Sequence, residues 1–122
     1  MNILLWVAQL FLAIAFLISG SMDVFRYEQA KEHMSWVRAV PKGLVTFIGT
    51  AEILGAIGLI LPALTGILPA LTSLAALGLA LIMLLAAGFH ARRREFQDLI
   101  MNVALLAPAV FVAYGRWRIV PL

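Results

Sequence analysis

The chain has 122 residues, of which 64% are hydrophobic and 12% charged, and its mean hydropathy is +1.04; soluble domains average roughly 45–50% apolar and about 25% charged, so the composition excludes a water-soluble fold and calls for a bilayer. The formal charge of +3 comes from nine Lys and Arg against six Asp and Glu, but the basic residues sit in short loops rather than on one folded face, which excludes a nucleic-acid interface. The lack of cysteine excludes disulfides, a dithiol redox pair and thiolate metal sites, so any electron transfer needs a bound cofactor or a partner.

One domain, 1–122, is expected from the length. Apolar runs of roughly 18 to 20 residues suffice to cross about 30 Å of hydrocarbon, and four are present. The predicted fold is therefore all-α, a four-transmembrane-helix antiparallel bundle. The first span covers residues 3–22, with Trp6 near one interface and Gln9 as its strongly polar residue. It lacks a positive leader and is read as a retained span rather than a cleaved signal. The section from Asp23 to Lys42 is the longest polar stretch; its Phe25, Tyr27, Met34, Trp36 and Val37 interleave with charge, which predicts a short interfacial helix at headgroup level. Tyr27 and Trp36 are its candidate partner-binding residues. Pro41 ends that stretch.

The second span, 44–61, is the anomaly, because a carboxylate, Glu52, stands near its middle. A charge at bilayer depth costs at least ~2.5 kcal/mol, so such a residue faces a bundle interior or a wet cavity. Gly49, Ala51, Gly55, Ala56 and Gly58 surround it, leaving little bulk to hold neighbouring helices apart. Two readings stand side by side. Either Glu52 is a ligand or proton site, or it is a protonated carboxyl bonded to a backbone carbonyl, Thr50 or Ser19, and simply locks helices together.

The connection PALTGILP, bounded by Pro62 and Pro69, makes the second and third spans a hairpin. The third span, 70–89, is almost wholly aliphatic and is expected to be the most lipid-exposed; His90 closes it. Arg92, Arg93 and Arg94 follow as a topology determinant and, secondarily, a lipid-phosphate contact. The fourth span, 99–114, carries Asn102 near its start and Pro108 in its middle, where a kink is expected. Seven of the nine basic residues lie in the loops 23–43 and 90–98. The positive-inside rule therefore places both loops in the cytoplasm and both termini outside, in a cytoplasmic (inner) membrane.

At ~1.5 Å per helical residue, Ser19 and Asn102 fall about 4 to 5 Å inside the cytoplasmic boundary and Glu52 about 12 Å, with His90 at the boundary itself. Ser19, Glu52, His90 and Asn102 are thus the candidate ligand-binding set. One Glu and one His so separated make no metal shell, so no metal is expected. No Ser has a His at matching depth, so nothing points to a nucleophilic enzyme.

Four strings then look familiar together: FLISGSMDVF closing the first span, AEILGAIGLILP in the second, PALTSLAALGLALIMLLAAGFH in the third, and NVALLAPAVFVAYGR in the fourth. In this the chain resembles the DoxX-like family of small four-helix membrane proteins. The resemblance implies a functional Glu and His, which map onto Glu52 and His90. A Lys found in many members soon after the first span's SG is replaced here by Met22 and Asp23, so a site using it does not carry over. The family is named for a membrane subunit of an archaeal thiosulfate to quinone oxidoreductase, and distant relatives are membrane chaperones. The implied functions are a redox-associated module binding a quinone or other hydrophobic small molecule, or an accessory, chaperone-like subunit binding another membrane protein or a second copy. A small transporter or proton pathway is the third expectation.

Overall fold

A computed structural model describes residues 2–33, 37, 40–66, 68 and 70–119. They form α1 (Asn2–Phe25), the short α2 (Tyr27–His33), α3 (Lys42–Thr65), α4 (Ala70–Arg92) and α5 (Phe96–Tyr114), followed by a wider π-helical turn at Gly115–Ile119. No strand occurs among the described residues. Four of these helices are long and apolar enough to cross a membrane, and α2 is the short helix expected between the first two spans. Each long helix reaches past its apolar run, α1 to Phe25 and α3 from Lys42 through Pro62 to Thr65. Gly66, in the left-handed region at φ 73°, ends α3 and donates its N–H to the Pro62 carbonyl at 2.9 Å.

The helices form a ring in which α1 packs on α3, α3 on α4 and α4 on α5, closed less extensively by α5 on α1. Helical periodicity selects the inner stripes. In α1 the buried positions are Leu5, Gln9, Leu12, Phe16, Gly20 and Asp23, and in α3 they are Val45, Gly49, Glu52, Ala56, Leu59 and Pro62, both stepping by three or four residues. The core joins Leu12 and Phe16 to Ala56 and Leu59, to Ala76, Leu79 and Met83, and to Ala109 and Val112. Outward positions such as Leu54, Leu64, Leu81 and Leu85 are more than half exposed, as lipid-facing side chains are.

One expectation is overturned. The aliphatic third span is the most buried of the four and the fourth the least, 33% against 17% of their apolar windows. The cause is position in the ring: α4 is gripped on both sides, while α5 has one extensive neighbour. In a bilayer both lipid-facing and buried positions are apolar, so aliphatic content does not report exposure.

Candidate functional site

The buried polar groups collect in three places. The first is the α1–α3 crossing. Gly20 and Gly49 bring the two backbones into contact: a Cβ on Gly20 would lie 2.6 Å from the Gly49 carbonyl oxygen and 3.2 Å from Glu52 Cβ, and one on Gly49 would lie 2.7 Å from Asp23 Cβ. Each helix thus presents a glycine and, three residues later, an acid, and each acid packs over the other helix's glycine. Asp23 and Glu52 are 0% and 3% exposed, and the Glu52 carboxyl faces both Asp23 and the Ser19 hydroxyl. Ser19 is therefore level with Glu52, not shallower, because α1 continues beyond the boundary at Met22 assumed from hydropathy. Thr50 does not take part, since its hydroxyl donates to the Thr46 carbonyl at 2.8 Å.

The electrostatics of this crossing are unusual. Asp23 Oδ1 and Oδ2 and Glu52 Oε1 have no hydrogen-bond partner among the described residues, and no ion pair there reaches either acid. Two facing carboxylates offer only acceptors, and a proton on either supplies the O–H that joins them.

At the opposite end, Gln9 Nε2 donates to the Leu59 carbonyl at 2.7 Å, and its Oε1 accepts from Arg116 Nε at 2.7 Å. Arg116 Nη1 donates to Asn2 Oδ1 at 2.7 Å, and its guanidinium lies 5.6 Å from the Trp6 ring centroid. Arg116, only 3% exposed, is thus a clasp between the first turn of α1 and the turn after α5 rather than a loop charge, and it holds Asn2 and Arg116 at one end of the bundle. Beside it, between α4 and α5, runs an open groove of about 390 Å³, walled by Leu74, Leu77, Ala80, Val110 and Ala113, with Ser73, Tyr114 and Trp117 completing its lining. None of Ser19, Glu52, His90 or Asn102 lines it.

The third place is the corner between α4 and α5. His90, 4% exposed, is bonded through Nδ1 to Glu95 Oε1 at 2.8 Å and lies 3.9 Å from Asp98 Oδ2. Its ring meets Phe89 edge-on at 5.3 Å. No described contact joins His90 to Glu52. Asn102 is buried, with Nδ2 lacking a partner among the described residues. Arg92, Arg93 and Arg94 are exposed; Arg93 sits over the Phe89 ring at 5.2 Å and 3.7 Å from Glu95. Tyr27 is half-buried, with Lys42 Nζ 4.9 Å from its ring centroid. Trp36 lies outside the described residues.

Of the expected set the structure brings Ser19 to Glu52 and leaves His90 in a separate cluster. Sequence reasoning missed Asp23, Gln9 and Arg116 as interior groups. The signal for the first two was the α1 stripe itself, which steps from Leu5 through Gln9 to Gly20 and Asp23. Arg116 continues the α5 stripe of Ala109 and Val112 by one turn.

Neither the curated proteins nor the solved structures returned a match to this chain. The family model described as the DoxX-like family matches residues 7–112, nearly the whole of the four-helix bundle. With four helices able to cross a bilayer and that match, the chain is a small multi-pass integral membrane protein and belongs to the DoxX-like family.

Proposed function

We propose that this protein binds a quinone, or a lipid-soluble molecule of similar shape, in the groove between α4 and α5, and serves as a redox-associated module of the cytoplasmic membrane with its basic loops inside. The observation that carries this reading is the groove. Its volume of about 390 Å³ lies within the usual range of small-molecule sites, roughly 300–1,000 Å³. Its lining is mostly aliphatic, and three lining residues near the terminal end of the bundle, Ser73, Tyr114 and Trp117, carry hydroxyl or indole N–H donors. A quinone carbonyl accepts hydrogen bonds from such donors, and its isoprenoid tail needs only the aliphatic walls and the surrounding lipid. The groove is open at the bundle surface, so a ligand enters from the bilayer without crossing water.

The test is extraction and mass spectrometry of small molecules from protein purified in mild detergent, followed by titration with a short-chain quinone read by quenching of tryptophan fluorescence. Ala113→Trp fills the groove and is expected to abolish binding; Tyr114→Phe is expected to weaken it several-fold. Undiminished binding by the Ala113→Trp protein defeats the reading. Copurification of one membrane protein, lost in the same variant, would turn it toward the accessory-subunit alternative.

The Asp23–Glu52 pair favours a second reading, a proton pathway. A proton shared between the two carboxyls supplies one O–H donor where three buried oxygens have none, and carboxylates inside a bundle are recurrent members of proton relays. Proton flux into proteoliposomes, abolished by Asp23→Asn and by Glu52→Gln, would support it; flux equal to that of protein-free vesicles removes it.

A further inference from the structure

We propose that the corner between α4 and α5 is a binding site for a divalent transition-metal ion of the zinc type, with His90, Glu95 and Asp98 as ligands. The ligand atoms of these three residues all lie within 4.8 Å of one another, although the residues belong to different structural units. His90 stands in the last turn of α4, Glu95 at the residue before α5, and Asp98 in the first turn of α5. The turn between them makes this convergence possible. Arg94 takes a left-handed conformation at φ 57°, and the Glu95 N–H donates back to the His90 carbonyl at 2.9 Å, so the chain reverses within five residues.

The side chains depart from what a helix start alone would ask of them. An acid at the N-cap normally accepts from the free N–H groups of the first turn. Glu95 makes no such side-chain bond and turns back instead to His90. Asp98 Oδ2, at 3.9 Å from His90 Nδ1, is too far for a hydrogen bond, yet it converges on the same nitrogen. A tetrahedral ion with bonds of about 2.0–2.2 Å needs ligand atoms roughly 3.3–3.5 Å apart. The observed 2.8 and 3.9 Å to His90 straddle that spacing. The ligand atoms span up to 4.8 Å, so closing the shell draws Asp98 inward, and its side chain, 52% exposed, has room to move.

The chemistry of the donors selects the ion. One imidazole nitrogen with two carboxylates suits zinc, cobalt or manganese; magnesium and calcium prefer oxygen alone, and monovalent copper prefers sulfur. Two carboxylates neutralise a divalent charge at the edge of the bilayer. The buried imidazole, held edge-on by Phe89 at 5.3 Å, is oriented in advance, and the exposed Asp98 side leaves a fourth position to water. Arg93, 3.7 Å from Glu95, competes with the ion for that carboxylate. The sequence makes Glu52 and His90 too distant in depth to share an ion; the shell forms instead from two acids beyond the turn.

The full chain in detergent, stripped with a chelator, is to be titrated with Co2+ by visible absorption and with Zn2+ by calorimetry. One ion per chain is expected, with the absorption of four-coordinate cobalt, and a thermal midpoint raised by Zn2+ but not by Mg2+. His90→Ala and Asp98→Asn are each expected to weaken binding at least tenfold, His33→Ala to leave it unchanged, and Arg93→Gln to tighten it several-fold. Asp98 is exposed, so its variant keeps the fold, which circular dichroism verifies. Zinc affinity unmoved by Asp98→Asn and Arg93→Gln, or no uptake by the wild-type chain, overturns the proposal and leaves a helix-corner ion pair.

Discussion

Replacing Gly20 by alanine tests the crossing on which the buried acids depend. The added Cβ would stand 2.6 Å from the Gly49 carbonyl oxygen and 2.8 Å from Ile53 Cγ1, whereas ordinary contact begins at 3.4 Å. Ile53 can rotate, but the carbonyl belongs to a hydrogen-bonded helix and cannot. The helices must therefore part by about 0.8 Å, the difference between 3.4 and 2.6 Å. Overpacking of this kind costs about 1–3 kcal/mol. Alanine also favours a helix over glycine by about 1 kcal/mol, which masks part of the loss. Gly78→Ala isolates that gain, because a Cβ there meets nothing within 4 Å. The quantity to measure is the difference between the two variants in reversible unfolding from mixed micelles. We expect Gly20→Ala to be less stable than Gly78→Ala by about 1–3 kcal/mol, five- to over a hundredfold in the unfolding equilibrium. Gly49→Ala should behave like Gly20→Ala, and the double variant should cost less than the sum, since the first substitution already opens the shared contact. Equal stability of Gly20→Ala and Gly78→Ala would refute the close crossing.

Other expectations follow from the same geometry. Glu52→Gln gives Asp23 an N–H donor and should leave stability within about 1 kcal/mol of the wild type, while Glu52→Ala strands a buried acid and should cost about 1–3 kcal/mol more; thermal unfolding that ranks the two alike contradicts the facing pair. Arg116→Ala removes charged hydrogen bonds to Gln9 and Asn2, each 2.7 Å long and each worth about 1.5–3 kcal/mol. Arg116→Lys should recover little of that loss, because an ammonium lacks the planar fork that reaches both partners; protease sensitivity of the C-terminal end reports the outcome. In the groove, Ala80→Leu should reduce quinone binding with no loss of helicity, as followed by fluorescence titration and circular dichroism.

The fold was legible because hydropathy over 20 residues is a strong signal, and because Glu52 stands among glycine and alanine on the helix's inner stripe. Asp23 was harder to see. It follows the apolar run and precedes a polar section, so composition assigns it to a loop, while the same stripe that buries Phe16 and Gly20 carries it inward. Arg116 was misread for a related reason: charge counting treats every basic residue near a span as exposed, and a buried guanidinium bonded to Gln9 and Asn2 is invisible to counting. Depth estimates anchored on hydropathy placed Ser19 a turn or more from Glu52, since they assume that every span begins at the same plane. His90 and its two acids lie within nine residues, but their convergence depends on the left-handed Arg94, which no local propensity announces.

The Gln9–Arg116–Asn2 clasp bears on how the protein is made. Arg116 comes after every span in the order of synthesis, so α1 enters the membrane with a polar amide at depth and waits for its cation until the fourth helix has been inserted. Until then the young bundle can splay on the side where α1 and α5 will meet, and a partner or lipid headgroup that shields Gln9 in the interval would govern how quickly the ring shuts.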